Sequence, residues 1–527
     1  PASEFPPSRS CTTLFPMHAE LLVSRSPGET RVALVEEGRL VEFDLERSHD
    51  RSVVGNVYRS RVTRVLPGMQ AAFLDIGLER AAFLYVDDIA LPSDIAEADE
   101  VDDPEESTPS EPPRAARPPV QELLTPGQLL TVQVRKAPLS TKGARVTNYV
   151  TLPGRFVVYL PTMDRVGISR KITDENERDR LKHILESHRR PGEGGFIART
   201  VCSGLAEATI VRDMDFVRSV WTEVEERAQN QDGPALLLED LDLVLRTARD
   251  LFTEEIDRLV CDDAEEARRI RRLMLRHAPE LADRIEVADH GASAFDRHGV
   301  DRQLQRALDR TVQLPSGASL VFDEAEALTA IDINTGRYVG KDDLEKTILA
   351  TNLEAAVEIA TQIRLRNLGG IIVIDFIDMQ TTEARREVYE AFCQAMERDR
   401  VKSHILPMTD FGLIELTRKR VRPSLTRRLT ESCPYCEGRG RVMSRETVSQ
   451  AILRSVLRTA QVHPTGTIVV SAMPEVVQAL LDPVRRRIEA IEALLERSIV
   501  VEARSDLHQE VFQVTVRAGG GPAGLGP

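Results

Sequence analysis

Two aspartates at the ends of apolar segments have the residue type and spacing of a metal-binding pair. Asp332 lies in AIDIN, residues 330–334, and Asp375 lies in IVIDFID, residues 372–378. Both segments predict buried strands, where a lone carboxylate must be neutralised or hydrogen-bonded. On neighbouring strands the two carboxylates can instead share Mg²⁺, which takes one or two carboxylates and leaves positions for water and a phosphate oxygen. Such an ion activates water and stabilises charge at phosphorus.

A purely structural role is the alternative for this pair, because strand-end caps and salt-bridge partners use the same residue types. Asn334 lies on the same strand face as Asp332, since residues two apart in a strand point to one side. Its amide can therefore orient the Asp332 carboxylate.

A second motif, Cys433-Pro434-Tyr435-Cys436, has the spacing of half a zinc site. Structural zinc takes four ligands, and the sequence contains no second CxxC pair. The motif predicts either a site shared between two subunits or a redox dithiol. The redox alternative is weaker because the pair does not begin a helix after a strand. The other four cysteines are scattered, which indicates a reducing compartment.

Two further features could contact nucleic acid. Phe73 and Phe83, with Lys142 nearby, could stack bases on a barrel surface, although both phenylalanines could equally lie in the core. A basic run could bind phosphates or form a solvated face. It contains six cations and no acid: Arg418, Lys419, Arg420, Arg422, Arg427 and Arg428.

The composition of the whole chain argues, on its face, against nucleic acid as a partner. The 527 residues carry a net charge of −15 and are 42% apolar, enough for several buried cores. However, residues 86–113 contain eleven acidic residues and no basic one. We expect this segment to be a solvated insertion, or, alternatively, a mimic of RNA over a basic groove. No apolar run reaches 18 residues, so no transmembrane helix is predicted. Residues 1–16 lack a secretory pattern and are expected to be an extension or an upstream translation artefact.

The patterned segments predict mixed α/β elements around these residues. The strand segments are 19–45 as a hairpin, 53–91 and 128–137 as a five-stranded barrel, parts of 150–212, and 327–334 and 370–378. The helical segments are 174–189, 213–278 and 342–364. The last helix and its flanking strands form a predicted strand-helix-strand unit, and residues 445–516 predict a small α/β unit.

Three long motifs, in this order, resemble the ribonuclease E/G family: EALTAIDINTGRYVG, TNLEAAVEIATQIRLRNLGGIIVIDFIDM and CPYCEGRG. The resemblance runs from about Met17 to about residue 516 and is strongest to the shorter members, which lack an Arg/Pro-rich C-terminal scaffold. It implies a multidomain α/β protein. The implied parts are an N-terminal extension (1–16), an RNase H-like part (17–51 and 245–307), an S1 RNA-binding domain with an OB-fold β-barrel (52–148) and its acidic insertion (86–113), a 5′-sensor region (149–244), a DNase I-like catalytic domain (308–429), a zinc link (430–444), a small C-terminal α/β domain (445–516) and a flexible tail (517–527).

The resemblance also implies roles for single residues. Asp332 and Asp375 match the magnesium ligands, and Asn334 matches the asparagine that positions the first of them. Cys433 and Cys436 match the half-site of a zinc ion shared by two protomers. Phe73, Phe83 and Lys142 match RNA-contacting positions. The pocket that senses a 5′-monophosphate is matched by Gly154, Val158, Arg170, Arg199 and Thr200.

Two departures from the family pattern are visible in this sequence. Lys171 and Lys402 stand where the larger relatives have arginines, so their phosphate contacts lose bidentate geometry. The acidic insertion at 86–113 is the second departure.

The expected function is that of a cytoplasmic, Mg²⁺-dependent endoribonuclease that cuts single-stranded RNA to 5′-phosphate and 3′-hydroxyl ends. We expect it to favour 5′-monophosphorylated RNA, to act in rRNA maturation and mRNA decay, and to form a homodimer or higher homo-oligomer through zinc. The alternative is a non-catalytic S1-type RNA-binding scaffold. A DNA nuclease is a third possibility, because two carboxylates do not recognise the 2′-hydroxyl.

Overall fold

A computed structural model describes residues 18–48, 52–90, 118–138, 143–288, 293–335, 344–482 and 487–517. The chain divides into two compact units, Pro1–Thr426 and Arg427–Pro527. Across the described ranges, no helix combines the length and apolarity needed to cross a membrane.

The first unit begins with an antiparallel meander that contains the predicted hairpin. Its turns are tight because Gly28, and the pair Glu37 and Gly38, have positive φ angles, as two-residue hairpin loops require. The strands are β1 (Ala19–Ser26), β2 (Glu29–Glu36) and β3 (Arg39–Arg47).

The next segment forms the small barrel predicted from its short strands. Strand β4 pairs with both β5 and β7, and this closes the order β4-β5-β6-β8-β7. The interior is filled by one face of each strand, including Val62, Leu74 and Leu84. The elements are β4 (Val57–Leu66), β5 (Ala71–Asp75), β6 (Ala82–Tyr85), α1 (Val120–Leu123), β7 (Leu129–Lys136) and β8 (Arg145–Thr147).

The first residue predicted for the acidic insertion, 86–113, lies too early in the chain. Asp88 is 2% exposed and receives hydrogen bonds from Arg135 and Arg145 at 2.9 and 2.7 Å. A carboxylate held by two guanidiniums belongs to the barrel rather than to a solvated loop. Residues 91–117, which include most of the predicted insertion, lie outside the described residues.

The following segment builds a second, four-stranded sheet in the order β11-β12-β10-β9. The last strand of the segment, β13, is not part of that sheet and pairs antiparallel with β4 of the barrel. The elements are β9 (Leu152–Pro153), β10 (Val157–Leu160), β11 (Val166–Ile168), α2 (Glu175–His188), β12 (Gly195–Ala198), α3 (Glu207–Gln229) and β13 (Ala235–Leu238).

The prediction of continuous helical structure over 213–278 is wrong at two places, β13 and β14. Both are four-residue apolar strands, and periodicity does not separate such short runs from helix. Strand β14 pairs in parallel with β1, so the first sheet has the order β15-β14-β1-β2-β3. The elements are α4 (Leu243–Leu251), β14 (Arg258–Cys261), α5 (Ala264–His277), β15 (Ile285–Val287), α6 (Ala294–Arg297) and α7 (Val300–Leu308).

The third sheet carries the two aspartates. It has the order β16-β17-β18-β19-β21-β20, and β18 and β19 are parallel, joined by the long helix α8. Ile331, Ile333, Ile372 and Ile374 pack one face into a core with the helices. The elements are β16 (Thr311–Gln313), β17 (Ser319–Glu324), β18 (Leu328–Asn334), α8 (Leu344–Leu365), β19 (Gly370–Asp375), α9 (Thr382–Met396), β20 (Ser403–Ile405), β21 (Leu413–Arg418) and α10 (Leu425–Leu429).

The second unit is a small mixed α/β fold, as its patterned segments predict. Its sheet has the order β23-β22-β24, with β23 parallel and β24 antiparallel to β22. Ile468 and Val470 of the central strand pack against Ile452 and Val456 of the first helix. The elements are α11 (Arg445–Val462), β22 (Thr467–Ala472), α12 (Pro474–Leu480), α13 (Arg487–Leu495), β23 (Ile499–Ala503) and β24 (Phe512–Arg517).

Candidate functional site

Asp332 and Asp375 are direct neighbours across the parallel strands β18 and β19. Paired residues of adjacent strands point to the same face of a sheet and lie about 5 Å apart. In both strands buried isoleucines alternate with exposed residues, so the helices cover the isoleucine face and both carboxylates lie on the open face. The Asn334 side-chain amide donates a hydrogen bond of 2.8 Å to Asp332 Oδ2, as predicted for an orienting residue.

The electrostatics of the pair favour a bound cation. Partial burial, and then the negative charges of Asp332 and Asp378, raise the pKa of Asp375, because a second anion nearby disfavours ionisation. Within the described ranges, no group of three or more His, Cys, Asp or Glu side chains could hold a metal. The two-carboxylate donor set fits Mg²⁺, which completes its shell with water and phosphate oxygens.

A residue that the sequence reasoning missed, Asn352, fixes the backbone just after Asp375. This α8 side chain is fully buried, donates to the Ile377 carbonyl at 2.8 Å and accepts from the Ile377 N–H at 3.1 Å. The signal was an asparagine among the apolar residues of α8, since a buried amide needs partners.

The barrel presents aromatic rings between cations on its outer surface. Phe73 and Phe83 are paired across β5 and β6 with ring centroids 5.3 Å apart, and the barrel core does not include them. The core alternative for the two rings is therefore wrong. Lys142 lies outside the described residues. One row across β4, β5, β6, β8 and β7 consists of Arg64, Phe73, Phe83, Arg145 and Lys136.

The predicted sensor residues lie on three loops of the second sheet and on its strand β10. Arg199 Nη1 donates to the Gly154 carbonyl at 3.0 Å and to Asp250 Oδ1 at 2.8 Å. The Thr200 hydroxyl lies 3.0 Å from the hydroxyl of Ser169, the residue before the exposed Arg170. Val158 is buried with Leu160 and Ile197, so its side chain packs instead of facing a ligand.

Asp213, which the sequence reasoning also missed, holds the loop that contains Gly154. Its buried carboxylate accepts backbone N–H groups of Arg155, Phe156 and Val157 at 3.2, 2.7 and 2.9 Å. A Cβ atom on Gly154 would lie 2.5 Å from this carboxylate. Glycine is therefore required here by the close approach of Asp213.

Asp250 connects the sensor loops to the sheet of the aspartates. Burial alone would raise the pKa of Asp250, but the guanidiniums of Arg249 and Arg199 together lower it. The Asp250 carbonyl accepts from Arg400 at 3.2 Å. Arg400 precedes the exposed Lys402 by two residues, so this contact brings the Lys402 segment to the sensor loops.

Three of the six cations of the basic run make structural contacts. Arg418 is 4% exposed and binds the buried Asp399 at 2.6 Å, so a phosphate contact by Arg418 is excluded. Arg420 donates to the Gly369 carbonyl at 3.1 Å, and Arg422 pairs with Asp44. These three arginines hold neighbouring segments of the first unit together.

In the second unit, the CxxC segment forms a turn that presents two sulfurs. Backbone N–H groups of Cys436 and Tyr435 lower the pKa of the exposed Cys433 thiol, and the Gly440 N–H donates to Cys436 Sγ at 3.3 Å. Such donors stabilise thiolates, the form that binds zinc. Among the described residues no third ligand joins these two.

Comparisons with known proteins give one consistent result. A family model described as "Ribonuclease E/G family" matches residues 151–421, and one described as "RNase E/G, Thioredoxin-like domain" matches 432–517. The chain is 40% identical over 500 residues to Ribonuclease G of Salmonella typhimurium (strain SL1344) and of Escherichia coli (strain K12), covering 95% of this chain and 100% of each relative. It is 34% identical to Ribonuclease E of Escherichia coli (strain K12), covering 90% of this chain and 44% of that protein.

Proposed function

Since this chain belongs to the ribonuclease E/G family and is an endoribonuclease, we propose that it hydrolyses single-stranded RNA with Mg²⁺ held by Asp332 and Asp375. The observation that carries the proposal is the parallel register that pairs these two carboxylates on the open face of the sheet. A non-catalytic RNA-binding scaffold would need the barrel surface but not this pair.

The protein's own residues supply the geometry of the reaction. The ion, when bound, supplies acidification of water and positive charge against the scissile phosphate. Asp332 and Asp375 would hold it, and Asn334 fixes the rotamer of Asp332 through its 2.8 Å hydrogen bond. Asn352 fixes the backbone that follows Asp375. Hydrolysis on this path leaves a 5′-phosphate and a 3′-hydroxyl.

We propose that the sensor loops favour RNA with a 5′-monophosphate. The support is that the Arg199 guanidinium contacts the Gly154 carbonyl, while the hydroxyl of the next residue, Thr200, contacts Ser169. Guanidinium forks and hydroxyls suit a terminal phosphate because several donors meet one anion.

We propose that Cys433 and Cys436 give two thiolates to a zinc ion that a second copy of the chain completes. The number of ligands supports this proposal, because structural zinc takes four ligands and the turn supplies two. The CxxC turn precedes α11 by several residues, unlike a redox pair at the start of a helix. We place the protein in the cytoplasm, in rRNA maturation and mRNA decay.

A cleavage assay tests the catalytic proposal. A fluorescent single-stranded RNA should be cut with Mg²⁺ and remain intact with EDTA, and mass spectrometry of the products should show 5′-phosphate and 3′-hydroxyl ends. Cleavage that persists in EDTA, or products with 2′,3′-cyclic phosphates, would refute it. A single-stranded DNA of the same sequence tests the DNA nuclease alternative.

A further inference from the structure

A third aromatic ring, Tyr85, continues the surface row of the barrel. Tyr85 follows Phe83 by two residues on β6, so both rings lie on the outer face. Their centroids are 4.4 Å apart at an interplanar angle of 72°. Tyr85 is 37% exposed, and the barrel core does not include it.

Arg145 lies over this ring and is held in place by Asp88. Its guanidinium carbon is 4.7 Å from the Tyr85 centroid, within the range of cation–π contacts. Arg145 Nε donates to the buried Asp88 at 2.7 Å, and Arg135 donates to the other Asp88 oxygen at 2.9 Å. Because Asp88 is shared in this way, the head of Arg145 is preorganised beside Tyr85.

The charge of this surface matches one class of ligand. Arg64 and Lys136 stand at the two ends of the cross-strand row and are exposed, and Arg145 stands beside its aromatic centre. Exposed rings between cations are the arrangement that single-stranded nucleic acids use, since bases stack on the rings and the backbone is attracted by the cations.

We propose that Tyr85 and Arg145 form a third base-stacking position, which takes the nucleotide next to those on Phe83 and Phe73. This inference rests on the proposed role of the barrel in binding single-stranded RNA. The ligand class is a nucleobase of any identity, because stacking on Tyr and Arg discriminates weakly between bases.

The test measures RNA binding in EDTA. The readout is the fluorescence anisotropy of a labelled single-stranded oligonucleotide. Tyr85→Leu keeps apolar bulk without a ring and should weaken binding roughly 5- to 160-fold, the range for loss of one stacked base. Tyr85→Phe should bind within about 2-fold of wild type. The slope of log Kd against log salt should not change, because stacking releases no counterions. Leu275→Ala, at an exposed position of α5, is the matched control.

A double-mutant cycle identifies the contact as stacking. Abasic sites are placed one at a time along the oligonucleotide, and the position where Tyr85→Leu causes no additional loss marks the base on Tyr85. If Tyr85→Leu binds RNA as tightly as the wild type while Phe83→Ala binds it more weakly, this inference is overturned and the barrel's role in binding RNA stands. Absence of RNA binding by the wild type would overturn the barrel's role in the proposed function and this inference together.

Discussion

Asp375 illustrates how the surroundings of one residue set its chemistry. Partial burial and the charges of Asp332 and Asp378 disfavour its ionised form. A cation reverses this preference because it binds the ionised form. Without a cation, Asp375 protonates at a higher pH than usual, so protons compete with a cation for this carboxylate.

Asp375→Asn should abolish most cleavage and leave RNA binding nearly intact. The substitution keeps size but removes one anionic ligand, and we expect the single-turnover rate to fall about 100-fold or more. Rates are measured in gels, and binding by anisotropy. Asp283→Asn, at an exposed position outside the third sheet, is the control. Near-normal cleavage by Asp375→Asn in excess Mg²⁺ would contradict the metal assignment.

Arg199→Lys should reduce the preference for a 5′-monophosphate. Lysine keeps the charge but loses the fork that contacts the Gly154 carbonyl and Asp250. The ratio of cleavage rates for 5′-phosphorylated and 5′-hydroxyl RNA should fall toward one, with the 5′-hydroxyl rate within about 2-fold of wild type. Arg212→Lys, at an exposed α3 position, should keep the ratio. An unchanged ratio in Arg199→Lys would rule out this sensor.

Asp250→Asn should destabilise the protein in a pH-dependent way. The pKa of Asp250 is lowered in the folded state, so its contribution is present above the unfolded value of 3.8 and is lost as the pH falls through the folded pKa. At pH 7 the free energy of unfolding should fall by about 2–3 kcal/mol. Urea unfolding at pH 7 and near pH 3 measures the difference, and Asp232→Asn is the control. A difference that does not shrink in acid would contradict the ion-pair account.

At the scale of elements, the sequence predicts the strands and helix that carry the aspartates but not their register. Apolar runs and the stripe on α8 indicate a strand-helix-strand unit, and the structure confirms it. The pairing of Asp332 with Asp375 depends on how two strands slide along each other, which sequence periodicity does not determine. Asn352 and Asp213 were missed for a similar reason, because their partners are distant in sequence.

Gly154→Ala should disturb the sensor loop. The new Cβ would lie 2.5 Å from Asp213 and 2.9 Å from the Val157 carbonyl, so we expect a loss of about 1–3 kcal/mol in stability and a weaker 5′-phosphate preference. Thermal melts and the rate ratio measure these. Gly233→Ala, where nothing lies within 4 Å, is the control. Equal behaviour of the two variants would show that the Gly154 loop is not tightly held.

At the scale of the whole molecule, net charge is a poor guide to the partner. The chain carries −15 overall, yet its barrel surface places Arg64, Arg145 and Lys136 around two phenylalanines. Local arrangement decides binding, because charges beyond about 10 Å are screened at ordinary salt.

Cys433→Ser should reduce both bound zinc and the dimer. Two chains that share one ion give one zinc per two chains, so loss of a thiolate should lower the zinc content and the mass in light scattering together. Cys393→Ser, at a half-buried position of α9, is the control. A zinc-free variant that remains dimeric would disprove the shared site.

The pairing of β13 with β4 gives the first unit a fixed internal length. Strand β13 follows α3 and pairs with β4 of the barrel. Leu237 of β13 packs in the core that the second sheet shares with α3. Val57 of β4 packs in the same core. Two regions joined by a strand pairing and a shared core cannot move independently, as domains on a flexible linker can. We therefore expect the number of nucleotides between a 5′ end at the proposed sensor and the first base on the barrel to be set by this packing.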